Sequence, residues 1–247
     1  IADLLRVRGI VGTLTATIAM VGACSGGIRN ATWDELATFR ETYGWSLSSR
    51  GRTNRFTDTL TPAEQRDETC GSLATFAAHG HTRAWGMFAY PSGFASMAAQ
   101  LGPVQECFSY GRLYELGSNP YPVAAPYLVK QLDIGGGRCR NPALACYRIA
   151  VRRSRWYTPP RLLAAYANAG LDGTGRWALL QWYRFVSGRS AGPGKRWDCT
   201  SPNTRDHWTS EPELYCLNDF LWVIDHIDRR VTVTDPATLG AAQGRGR

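Results

Sequence analysis

A chain of 247 residues that is 44% hydrophobic is long enough to bury a sizeable core and too apolar to be disordered. Its 28 basic residues outweigh 20 acidic ones, partly through local groups such as Arg152-Arg153-Ser154-Arg155 and the tail Gly244-Arg245-Gly246-Arg247. No zinc-finger, recognition-helix or single-strand-binding motif accompanies the charge, so nucleic acid is excluded as the expected partner and only weak attraction to an anionic surface remains.

The first element is a strand over Ile10 to Val21. The surrounding run at 9–23 is apolar, but it is too short for a membrane span, and its Thr and Gly content suits a core strand. Asn30-Ala31-Thr32 spells a glycosylation acceptor, yet Thr32 with Glu35 also makes a capping box, and the helix start is the preferred reading. The helix that follows, WDELATFRETY, turns Leu36 and Phe39 inward and gives way after Gly44 to the short strand WSLSS. Thr61-Pro62-Ala63-Glu64 opens a second helix running to about His79 through Leu73 and Phe76.

Trp85, Met87 and Phe88 with small residues between them predict a buried strand that stops at Pro91-Ser92-Gly93, which places Tyr90 at the rim of a cleft or at the edge of the core. A helix over Phe94 to Leu101, ended by Gly102 and Pro103, leads to a strand-like return through CFSYGRLY. Residues 117–157, rich in Gly, Pro and Cys, are expected to be mostly loop. Pro159 to Gly170 reads as a helix and WALLQWYRFV as the clearest late strand. Ser210 caps a last helix carrying Leu214, Leu217, Leu221 and Ile224, and VTVT at 231–234 is the last strand. Strand and helix alternating in this way predict an α/β fold with parallel strands in a single domain over 1–247.

Seven scattered cysteines without a CxxC pair suit disulfides in an exported protein better than a reduced cytosolic chain or a zinc site. Cys139 with Cys146 would close a Gly-rich loop, Cys199 with Cys216 another long loop, and Cys70 with Cys107 is then a third pairing. One cysteine is left over. The chain opens on Ile1 without a signal pattern, which reads as a processed or truncated product. The expected location is therefore secreted or extracellular, in association with a cell wall, with no transmembrane segment.

The order of elements, the phrases ATWDELATFRETYGWSLSSRG, FAYPSG and WALLQWYRFV, and the ending SEPELYCLNDFLWVIDHIDRRVTVT resemble the polysaccharide deacetylase family of carbohydrate esterases over roughly residues 5 to 238. The resemblance implies a distorted or incomplete (β/α) barrel. It also implies a hydrolase that removes N- or O-acetyl groups from chitin-like, peptidoglycan or xylan polymers, using a divalent metal held by one Asp and two His beside a second Asp acting as base.

Carried over residue by residue, the catalytic set is not met. The family's Asp-Asp segment would fall before Ile1, and its two histidine ligands align with Arg50 and Asn54, neither of which suits zinc. Tyr90-Pro91 keeps the block that lines the family's substrate groove, and the late strand ends near Tyr183-Arg184 where the family has a histidine. His79 and His81 flank Gly80 on the far side from the groove, His226 belongs to the last helix, and His207 sits in a loop. Asp58, Glu64 and Asp133 could form a glycosidase-like carboxylate pair, but nothing in the sequence sets their separation.

No catalytic residue, metal or cofactor is therefore assigned. The expected function is a deacetylase-like protein that acts on or binds an acetylated cell-wall glycan with impaired catalysis. The substrate-binding residues are Tyr90, Trp85, Trp182, Tyr183, Arg50 and Asn54, with the aromatic rings offering flat faces to sugars. The alternatives are a non-catalytic carbohydrate-binding module and a purely structural interaction domain. The sequence does not address oligomeric state.

Overall fold

The computed structural model describes residues 1–25, 28–55, 59–91, 94–133, 160–172, 175–182, 184–190, 197–200, 208–209 and 214–245. The chain gathers into two compact units, one of Ile1–Tyr114, Ala125–Val129 and Val233–Arg247, the other of Glu115–Ala124 and Lys130–Thr232. The fold is mixed α/β with parallel strands, as the alternation of elements predicts.

In the first unit, Thr13–Ala16, Ser46–Ser49, Met87–Ala89 and the strand beginning at Tyr110 lie side by side and run parallel. The register sets Thr13 opposite Ser46 and Thr15 opposite Ser48, and each pair joins hydroxyls at 2.9 Å. Further along, Ser49 faces Phe88 and Ala89 faces Arg112.

Helices connect these strands, and their starts are written in the sequence. Thr32 and Glu35 form a full capping box on Trp33–Tyr43, and Thr61 and Glu64 form another on Pro62–Ala78, where Pro62 occupies the first turn. Both faces of the central strands are buried, and alternation decides which layer each side chain joins. Leu47 packs with Leu36, Phe76 and Ala84, while Phe88 and Tyr90 pack with Val104, Cys107, Phe108 and Leu113. Leu73 touches both groups, so the helix Pro62–Ala78 joins the two halves of this core.

The second unit contains shorter pairings. Leu180–Gln181 runs parallel to the end of Val129–Asp133, Arg184–Val186 runs parallel to Leu214–Cys216, and Asn119–Pro120 pairs antiparallel with Arg176–Trp177. The helices Pro160–Asn168 and Leu217–Asp225 belong to the same unit. Among the described residues no helix is long and apolar enough to cross a membrane.

Several boundaries differ from the sequence reading. The first strand is only Thr13–Ala16 and is followed by a 3-10 turn at Ile18–Met20. The helix from Phe94 continues through Gly102 and Pro103 to Cys107, because Val104 and Cys107 are core residues and Cys107 is bonded to Cys70. Their burial outweighs the roughly 3 kcal/mol that an internal proline costs. WALLQWYRFV breaks into three short pieces, since each pairs with a different strand. Val129–Asp133 is a strand inside the region expected to be loop, whereas VTVT forms no strand and Asp235 instead caps a final helix, Pro236–Ala242. Leu214 belongs to a strand, so the helix after it begins only at Leu217.

Among the described residues, Cys70–Cys107 and Cys199–Cys216 form disulfides and Cys24 is free and exposed. Cys139 and Cys146 lie outside the described residues. Two such bridges are compatible with an oxidising compartment.

A Cβ on Gly86 would stand 2.8 Å from the Cα of Ala237, so Gly86→Ala should push the final helix from its seat and lower stability by about 2 kcal/mol in urea unfolding. Glu35 is held down to about 2 by Arg29 first and by the Thr32 backbone next. Its folded pKa lies below the ordinary value of 4.5, so its capping contribution is complete above that pH and is lost as pH falls toward 2. Carboxyl NMR should show Glu35 titrating well below the ordinary 4.5, near 2.

Candidate functional site

Because the strands of the first unit are parallel, their C-terminal ends share one edge, the usual location for ligands in open α/β sheets. Arg50 ends the Ser46–Ser49 strand and crosses that edge in both directions. Its backbone N–H donates to the Ala16 carbonyl at 2.9 Å, and its Nη2 donates to the Pro91 carbonyl at 2.8 Å. The guanidinium is thus held by the turn after the Met87–Ala89 strand.

Beyond Arg50 the chain is fixed by a carboxylate. Glu68 is only 2% exposed and accepts from the Thr53 N–H at 2.8 Å, the Thr53 hydroxyl at 2.7 Å and the Asn54 N–H at 2.9 Å. Gly51 has φ 87°, and a Cβ there would meet a Glu68 carboxylate oxygen at 2.8 Å, so this turn requires glycine on both counts. The Ser49 hydroxyl meets that of Ser72 at 2.7 Å and also accepts from the Gly51 N–H. Asn54 adopts φ 62° and keeps its Oδ1 buried without a hydrogen-bond partner.

The sequence did not single out Glu68. The signal was present in its spacing: Glu68, Ser72 and Phe76 recur every four residues and share the buried face of the helix Pro62–Ala78.

The six expected binding residues fall in different places. Arg50 and Asn54 belong to the strand-end edge just described. Tyr90 is also at a strand end, but it is fully buried, edge-on to Phe88 with ring centroids 5.6 Å apart, so it serves the core and not a rim. Its hydroxyl lies under Gly111, where a Cβ would approach it to 2.7 Å, and has no hydrogen-bond partner. Burial drives the phenol pKa well above its ordinary value.

Trp85 sits in a 3-10 turn before the N-terminus of the Met87–Ala89 strand. At about 3.3 Å per residue it is on the order of 15 Å from Tyr90, at the other end of the sheet. Trp182 belongs to the second unit, where it packs edge-on against Phe220 at 4.8 Å, and Tyr183 lies outside the described residues.

The remaining candidates are structural or lie outside the described residues. Glu64 completes a helix cap, His79 stacks on Trp33 at 3.9 Å, and His226 stacks on Trp222 at 3.6 Å. Asp58 and His207 are outside the described residues, and Asp133 is described only as the last residue of its strand.

Among the described residues the donor set does not fit a catalytic zinc. Among the described residues, Cys70, Glu106 and Cys107 form a cluster of suitable ligand atoms, but both sulfurs are committed to a disulfide and cannot act as thiolates. At the strand-end edge, Arg50 offers a fixed cation and Asn54 a neutral amide.

No protein-family model and no curated protein matches the chain. Among solved structures it is similar to a Streptococcus pyogenes deacetylase, PplD, in complex with acetate, with 15% identity and a TM-score of 0.36. The match covers 48% of this chain and 52% of that one, and nothing about activity follows from a likeness of this extent.

The buried, unpartnered hydroxyl of Tyr90 makes one expectation sharp. Tyr90→Phe removes a desolvated polar group without changing ring packing, so it should leave stability unchanged or raise it by about 1 kcal/mol. A midpoint loss in urea comparable to that of a core truncation would show that the hydroxyl has a partner after all.

Proposed function

We propose that this chain is a secreted, deacetylase-like protein of incomplete (β/α) barrel type that binds an acetylated cell-wall glycan without metal-dependent deacetylation. The observation that carries this reading is the guanidinium of Arg50. It occupies the position that the family resemblance gives to a metal-ligating histidine, and it is anchored to the Pro91 carbonyl at 2.8 Å. Two unit positive charges at 4 Å repel by about 1 kcal/mol even in bulk water, so a divalent ion there meets about twice that, and more where water is excluded. Asn54, at the second ligand position, has a neutral amide that cannot compensate.

The same groups suit binding. Arg50 brings a cationic guanidinium to the strand ends, and the Glu68-held turn fixes the backbone of Asn54. Trp182 and Tyr183, read from the sequence as aromatic faces for sugars, remain a proposal of their own, separate from the Arg50 edge. Tyr90 acts indirectly, by fixing the strand end on which Pro91 follows. A purely structural role is the competing reading.

The test combines three measurements on the same protein. Elemental analysis should find no stoichiometric divalent metal, an acetylated chitooligosaccharide should release no acetate, and affinity electrophoresis with chitin or peptidoglycan fragments should show retention. Arg50→Ala should weaken that retention about tenfold, equivalent to about 1.4 kcal/mol. Stoichiometric metal with metal-dependent acetate release would overturn the reading, and absence of retention would leave the structural role.

A further inference from the structure

At the opposite end of the same parallel strands, the helices Trp33–Tyr43 and Pro62–Ala78 hand over to the sheet through turns on left-handed glycines, Gly44 at φ 68° and Gly80 at φ 77°. The second turn carries His79 on one side of Gly80 and His81 on the other. Its backbone is tied down twice: the His81 N–H donates to the Phe76 carbonyl at 2.8 Å, and Arg40 donates to the His79 carbonyl at 2.8 Å. Two residues further on, Arg83 donates to both carboxylate oxygens of Asp235 at 3.0 Å and to the Thr238 hydroxyl. Asp235 caps the final helix, Pro236–Ala242, so one short connection holds the end of one helix and the start of another.

The two histidines sit differently. His79 is exposed and stacks on Trp33 at 3.9 Å. His81 is only 5% exposed, and its Nε2 is buried without a hydrogen-bond partner. A neutral imidazole tolerates this at modest cost. An imidazolium does not, because both of its nitrogens must donate and Nε2 has nothing to donate to.

The surroundings offer an added charge no compensation. From the helix Trp33–Tyr43, Arg40 presents a cation, and Glu41 presents a carboxylate that is already paired with Arg40. The end of the helix Pro62–Ala78 adds only the second imidazole, His79. Arg83 and Asp235, which line the same cleft as His81, are committed to each other. The Trp33 ring is 6.3 Å from that of His81, outside the roughly 6 Å reach of a cation–π contact. Burial first, and Arg40 and His79 next, accordingly hold the His81 pKa below its ordinary 6.5, with Glu41 acting the other way.

We propose that His81 is an acid-sensitive latch: it takes up a proton only when the connection from His79 to Arg83 swings open on Gly80, and acid therefore frees Arg83 and the start of the final helix. By linkage, the opened form binds a proton with the ordinary value of 6.5 and the closed form only at lower pH. Closure is thus fully favoured above 6.5 and weakens as pH falls from there toward the lowered closed-form value. The latch is independent of Arg50 and of the glycan reading given above.

The experiment is amide hydrogen exchange on the full chain at about pH 7 and pH 5.5, corrected for the intrinsic pH dependence of exchange. Protection of the His81 and Leu239 amides, which donate to the Phe76 and Asp235 carbonyls, should fall about fivefold, with Arg50 remaining better protected at both pH values. His79→Gln should keep the fall and His81→Phe should abolish it. The wild-type ring supplies a check that needs no variant, since His81 should titrate below 6.5 in ring-proton NMR. A ring that titrates at 6.5, constant protection in the wild type, or an undiminished fall in folded His81→Phe would overturn the proposal. Protection of His81 and Leu239 equal to that of Arg50 at each pH would overturn it as well, because the opening would then be global.

Discussion

Two-residue alternation in the parallel strands is the constraint from which the rest of the first unit follows. Leu47, Ser49, Phe88 and Tyr90 all turn toward the layer of helices, where Phe76, Ser72, Leu73 and Val104 meet them. A slip of one residue would exchange Ser49 with Arg50 and place a guanidinium against Ser72 and beside Phe88. The cost of burying an unpaired charge there is far above that of any single packing defect. Register and hydrophobic burial therefore enforce one another, and Arg50 is left at the strand end.

The strand-end edge is held by polar contacts placed where the strands stop. Glu68 reaches from the helix to the backbone of Thr53 and Asn54, and Ser72 reaches to Ser49. A buried carboxylate is tolerable only because three donors meet it, and the same three bonds stiffen the turn. Arg50 then links the ends of three strands through Ala16 on one side and Pro91 on the other. The two ends of the sheet differ in kind: one is cross-braced by Arg50 and Glu68, the other is entered by connections that turn on the left-handed Gly44 and Gly80.

What the sequence settled by itself were the features whose physics is local. The capping boxes at Thr32 and Thr61 need only three residues of spacing, and both helices begin where those residues stand. Leu36, Leu73 and Phe76 declared their buried face through helical periodicity, and the strand through Phe88 through its apolar run before Pro91. Arg50 and Asn54, by contrast, were picked out only through the family resemblance and not by a local signal. The pairing of Cys70 with Cys107 and of Cys199 with Cys216 was only one arrangement among several, since spacing does not choose partners.

Tertiary structure decided the features that depend on distant neighbours. WALLQWYRFV reads as one strand but is divided because three different segments compete for its backbone hydrogen bonds, and VTVT has strand-forming residues but no strand to pair with. Pro103 signals a helix end, yet burial of Val104 and Cys107 carries the helix past it. Tyr90 could face either core or rim on sequence grounds, and the close approach of Gly111 above its hydroxyl, with Phe88 beside its ring, put it in the core. Glu68 was hidden because its function lies in the backbone of a turn fourteen residues earlier in the chain. Local sequence specifies which conformations a segment can adopt, and only the folded chain supplies the partners that select among them.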